Sequence, residues 1–129
     1  MIRGHVSPGL EPVIDLGLVQ GDTVTVIPTV IDTGFSGMLC LAERYMAHMS
    51  LLFTFAEQYE LANGEIVAQK VFAGRMVWDG REQEVEVILT ASQDTLVGAA
   101  LLQPYTLTID YPNQQVRLTK NRGRKPHST

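Results

Sequence analysis

Short apolar runs separated by turn residues recur along the whole chain. Val13 to Val19 alternates between apolar and polar positions, and Thr23 to Ile27 is rich in β-branched residues. Gln20-Gly21-Asp22 between them is a turn signal, so the pattern predicts an opening hairpin. Pro28 interrupts the second strand, which predicts a sheet edge or a bulge there. Val30-Ile31 then runs into Asp32. Upstream, Ile2 to Val6 predicts a short strand that Ser7-Pro8-Gly9 ends. Downstream, Phe53 to Leu61 and Ile66 to Val77 predict two longer strands joined at Ala62-Asn63-Gly64-Glu65. Asn-Gly is the strongest short hairpin signal. Asp79-Gly80 predicts the next hairpin, followed by Glu82 to Leu89. There Val85, Val87 and Leu89 alternate with Glu84 and Glu86, and only Ile88 departs from the pattern. Tyr105 to Asp110 and Gln115 to Thr119 close the series around a turn at Tyr111-Pro112-Asn113-Gln114.

Two segments read as helical. Ala42 to Met49 contains helix formers with spaced apolar residues at Tyr45, Met46 and Met49. Ala99 to Gln103 is too short to be helical alone, so packing must hold it, and Pro104 limits it. Strands this short and frequent predict a mainly β chain: a small closed β-barrel with one or two short helices.

Composition narrows the picture. At 129 residues, one domain is expected over residues 1–119, followed by a basic, disordered tail over 120–129. A net charge of −4 argues against a nucleic-acid partner. No apolar run approaches the ~20 residues of a membrane helix, and no signal peptide is evident. A single cysteine, Cys40, excludes an internal disulfide and suits a reducing, cytoplasmic setting as a small buried hydrophobe. His5, His48 and His127 are too scattered to suggest a metal site, and no cofactor is expected. Trp78 beside the Asp79-Gly80 turn reads as a packing anchor.

The candidate chemistry sits in two stretches. Val30-Ile31-Asp32-Thr33-Gly34-Phe35-Ser36-Gly37 ends a strand at a carboxylate followed by a tight turn. A strand end fixes an acid in position, and glycine lets the backbone turn closely. Asp94-Thr95-Leu96-Val97-Gly98-Ala99-Ala100-Leu101-Leu102 repeats the apolar-pair, glycine, helix order. On these residues the chain resembles the retropepsin-like single-domain aspartic proteases, from Val13 to Leu118. More narrowly it is similar to a prokaryotic subgroup that reads Asp-Thr-Gly-Phe.

The resemblance implies an acid-protease β-barrel with Asp32 as catalytic acid. Thr33 would bond across a dimer axis, and Gly34 would offer backbone close to substrate. The hairpin tip Ala62, Asn63 and Gly64 takes the place of a flap over the cleft. Leu96, Val97 and Gly98 would support the acid loop or line the cleft wall, with plain core the expected role of Leu96. Phe35 is large where retroviral relatives are small, and either fills part of the cleft or packs inward. Peptide hydrolysis of this kind needs two carboxylates around one water, and the chain has one Asp-Thr-Gly. A two-fold homodimer supplies the second Asp32. The expected function is therefore a homodimeric aspartic endopeptidase acting on extended peptides. The alternative is a weak or inactive protease-fold dimer that binds peptides or partner proteins.

Overall fold

The computed structural model describes residues 1–121. Ten strands form: β1 (Ile2–Val6), β2 (Pro12–Gln20), β3 (Thr23–Ile31), β4 (Leu39–Ala42), β5 (Leu52–Glu60), β6 (Ile66–Trp78), β7 (Arg81–Thr90), β8 (Leu96–Val97), β9 (Tyr105–Asp110) and β10 (Gln115–Lys120). They pair in the order β5-β6-β7-β4-β8-β3-β2-β1-β10-β9. The order has two free ends, β5 and β9. The pairing that would close a barrel, β6 with β2, covers only Gly17↔Val77 and Leu18↔Met76. No helix of the described residues is long and apolar enough to cross a membrane.

The hairpins follow their turn residues. Asp79 (φ 52) and Gly80 (φ 77) both adopt the left-handed conformation, which matches the twist of β6 and β7. At Asn63-Gly64 the turn is longer than the dipeptide predicts. Leu61 N–H donates to the Glu65 carbonyl at 2.8 Å, which leaves Ala62-Asn63-Gly64 as the loop, and only Gly64 (φ 86) is left-handed. The Asn63 side chain stays in the turn and accepts from Glu65 N–H at 3.0 Å. Pro28 lies where β3 has β2 alone as a neighbour, because β8 joins only at Val30 and Ile31. Its missing N–H therefore costs no ladder bond.

The segment before β5 is helical but not α-helical: Glu43–His48 is a 3-10 helix. Six residues with no side-chain cap are too few to nucleate an α-helix, and Met49 N–H closes the last turn onto the Met46 carbonyl at 3.4 Å. Of the apolar residues that suggested a helix face, Met49 is buried, Tyr45 is half-buried and Met46 is exposed. The short α-helix, α1, spans Ala99–Leu102.

The alternating positions of β2, β4, β7 and β10 meet in one core, with Leu16, Leu18, Leu39, Leu41, Val85, Val87 and Leu118 all essentially inaccessible. Each such side chain contributes about 1.5–3 kcal/mol on burial. Trp78 is the expected anchor, buried and edge-to-face with Tyr105 at 5.8 Å between ring centroids. The last strand reaches Lys120, one residue into the expected tail, and Asn121 N–H still bonds the Pro104 carbonyl. Residues 122–129, the rest of that tail, lie outside the described residues.

The hairpin β5–β6 is different. Every residue of β5 is exposed, including Leu52, Phe53, Phe55 and Tyr59, and Leu61, Ile66 and Val67 are exposed at its tip. This is the protein's largest set of apolar side chains left outside the core.

Candidate active site

Strand β3 delivers Asp32 half-buried at its end, with Thr33 and Gly34 exposed just beyond. Thr33 and Gly34 make the turn, and the carboxylate holds it: Asp32 Oδ1 accepts from Gly34 N–H at 2.9 Å. Phe35 N–H donates to the Asp32 carbonyl at 3.2 Å. The loop then leans on β8 and α1. Asp32 N–H donates to the Val97 carbonyl at 2.9 Å, Gly98 N–H to Met38 at 3.0 Å, Ala99 N–H to Phe35 at 2.7 Å and Ala100 N–H to Gly37 at 3.2 Å. The two stretches singled out in the sequence are thus one hydrogen-bonded unit. Its backbone groups satisfy one another, and together with the Asp32 carboxylate's bond from Gly34 N–H they fix the acid.

Phe35 packs against this unit. A Cβ placed on Gly37 would stand 2.5 Å from Phe35 Cζ, and one on Gly98 2.5 Å from Phe35 Cδ2. The ring therefore needs both glycines beneath it. The ring is half-buried: it packs on these glycines and also borders a cavity beside the loop. Of the apolar pair before Gly98, Val97 and not Leu96 is the core residue. Val97 is wholly buried in the core and supports the loop through its carbonyl, while Leu96 is half-buried. The alternation of β8, set by the pairs Val30↔Leu96 and Ile31↔Val97, decides this. Ala62, Asn63 and Gly64 are exposed at the β5–β6 tip, and the hydrogen bonds recorded there stay within the hairpin.

One residue beneath the loop has a role that its sequence position did not announce. Thr95 is buried, and its Oγ1 accepts from Ala42 N–H at 3.1 Å, tying the start of β8 to β4. Nothing in a lone Thr before an apolar pair announces that role. Thr95→Val keeps the shape but orphans the buried amide. A loss of about 1–3 kcal/mol is expected, read as a lower midpoint in urea unfolding with an unchanged slope. Cys40, expected from the sequence as a small buried hydrophobe, is buried on β4 opposite Leu96. Burial raises its thiol pKa above the ordinary value, and the Asp32 charge adds to the rise. The thiolate is the reactive form, so Cys40 stays inert in the folded protein. At pH 8, iodoacetamide should label native Cys40 far more slowly than the urea-unfolded chain, as read by intact mass.

Among the described residues, no group of three or more His, Cys, Asp or Glu side chains gathers where a metal ion could sit. Beside the loop lies a cavity of about 240 Å³ whose walls include Phe35, Gly37, Glu57, Tyr59, Glu86 and Ile88. Ile88, the residue that broke the β7 alternation, sits there. It is half-buried beside the acid loop, while Glu84 and Glu86 on the same face of β7 are exposed.

No protein-family model matches the sequence, and no curated protein matches it. Solved structures do. A crystal structure of a retropepsin-like aspartic protease from Rickettsia conorii aligns with a TM-score of 0.62 over 91% of this chain and 88% of that one, at 20% identity. The fold is retropepsin-like. The alignment rests on shape, since few residues are shared. Within this retropepsin-like fold, Asp32 follows directly on β3, and the β5–β6 hairpin is the long exposed arm.

Proposed function

We propose that the protein is a homodimeric aspartic endopeptidase of the Asp-Thr-Gly-Phe kind, with Asp32 from each of two chains sharing one water. The observation that carries this reading is the Asp32-Thr33-Gly34 turn, held at a strand end by backbone bonds to β8 and α1 within a retropepsin-like fold. The chain brings one such carboxylate, and the chemistry needs two.

One carboxylate takes a proton from water as its oxygen attacks the peptide carbonyl carbon. The other, protonated, hydrogen-bonds the carbonyl oxygen as it gains charge. The C–N bond then breaks, and the leaving nitrogen takes a proton from the pair. In this reading Thr33, exposed beside Asp32, bonds its counterpart across a two-fold axis. The exposed apolar arm β5–β6 supplies a flap that covers an extended peptide and excludes water. Val97 and Gly98 act beneath the loop, and Phe35 with Gly34 at its surface.

The experiment is cleavage of casein and of a peptide library by the purified protein, with pepstatin as inhibitor and size-exclusion chromatography alongside. Pepstatin-sensitive cleavage by a species of twice the chain mass supports the reading. A monomer without activity at any concentration overturns it, and a dimer that binds peptides without cutting them favours the binding module.

A further inference from the structure

The cavity beside the acid loop has a chemical character of its own. Its floor is apolar: Phe35, Val71 and Ile88. Its rim carries two carboxylates, Glu57 from β5 and Glu86 from β7, together with the Tyr59 hydroxyl. The strand registers put these groups on one face. Phe55 pairs with Val71, Glu57 with Gln69 and Ala73 with Glu86, so alternation turns Glu57, Val71, Glu86 and Ile88 the same way. No Lys or Arg lines this cavity. Among the described residues the side-chain ion pair is Arg75 with Glu82, so neither Glu57 nor Glu86 has a cationic partner. Glu57 accepts from Tyr59 Oη at 2.6 Å, and the charge of Glu86 reaches the same hydroxyl.

An apolar floor under an anionic rim fits one kind of side chain: a long aliphatic stem ending in a cation. We propose that this cavity is a substrate subsite selective for lysine or arginine, with Glu57 and Glu86 as the specificity-determining residues. The proposal rests on the peptidase reading for its place beside Asp32, and on the cavity for its charge preference. An extended peptide laid along β5–β6 sends alternate side chains toward this face. A lysine there lays its methylenes on Ile88 and Phe35 and its ammonium between the carboxylates. A leucine leaves both carboxylates without a cation, and a glutamate is repelled.

The test separates charge preference from catalysis. Fluorescein-labelled octapeptides, each with lysine or norleucine at one position, are titrated into the Asp32→Asn protein by fluorescence polarisation. At one position lysine should bind about tenfold more tightly than norleucine. The preference should vanish in Asp32→Asn carrying Glu57→Gln and Glu86→Gln, and turn toward glutamate with Glu86→Lys. Equal binding at every position, or a lysine preference that survives the double Gln variant, overturns the subsite. The same peptides incubated with the wild-type protein report on the peptidase reading separately. Cleavage without a lysine preference sinks the subsite alone. A lysine preference without cleavage sinks the peptidase and leaves a basic-peptide binding site.

Discussion

Asp32→Asn should abolish peptide cleavage, by about 10³-fold or more, while leaving the fold intact. The asparagine keeps the shape of the turn, because its side-chain oxygen can still accept the Gly34 N–H that Asp32 Oδ1 accepts at 2.9 Å. The backbone bonds to Val97 and from Phe35 do not involve the side chain at all. What the variant loses is the means to take a proton from water. The thermal midpoint should therefore change little while the rate collapses, and this split distinguishes a catalytic acid from a structural one. A mixing experiment sharpens the result. If each active site takes one Asp32 from each chain, adding an equal amount of the Asp32→Asn chain and letting subunits exchange leaves about a quarter of the dimers with two acids. Activity from a fixed amount of wild-type chain should then fall by about half, since half of it sits in mixed dimers. Activity that stays constant on mixing would mean that each chain works alone, and activity that survives in the pure variant would remove Asp32 from the mechanism.

Much of this architecture was legible because each strand carries its own period. The hairpins at Gly21, Asn63-Gly64 and Asp79-Gly80 and the edge at Pro28 all stand where turn and breaker residues put them. Three features were not legible, each for a tertiary reason. The Ala42 to Met49 segment has α-helix formers, but it bridges two strands in a span too short for a capped α-helix and winds as 3-10. Val97 and Leu96 are equally apolar, so only their register against Val30 and Ile31 shows which faces the core. The cavity beside the acid loop draws on β5, β6 and β7 at once, and no local pattern joins Glu57 to Glu86. Ile88 was its one trace in the sequence, an apolar residue on a face that otherwise reads as solvated. The acid loop itself was the clearest signal, because its chemistry and its turn are written in three adjacent residues.

The second large effect is expected at Gly98, and it is steric. Its backbone is extended (φ −108, ψ 179), so any residue could adopt the conformation, and glycine is there for space. A Cβ at this position would stand 2.3 Å from the Gly37 carbonyl oxygen, 2.6 Å from the Phe35 carbonyl oxygen and 2.5 Å from Phe35 Cδ2. Two of these are main-chain atoms of the acid loop, and both carbonyls are already committed to Ala99 and Ala100 N–H. They cannot retreat without breaking those bonds. Gly98→Ala should therefore cost about 3 kcal/mol, the upper range for overpacking a tight site, and lower the melting midpoint by roughly 10 °C. Activity should fall further than stability alone explains, because the loop that moves is the one that carries Asp32. Gly9→Ala is the matched control: its nearest neighbour would be 3.8 Å away, so the same added methyl meets ordinary contact. Differential scanning calorimetry of the two variants, with peptide cleavage measured well below both midpoints, reads the two effects separately. A Gly98→Ala protein that melts and cleaves like wild type would mean that the acid loop does not rest on β8 and α1, and the account of how Asp32 is held would have to be rebuilt.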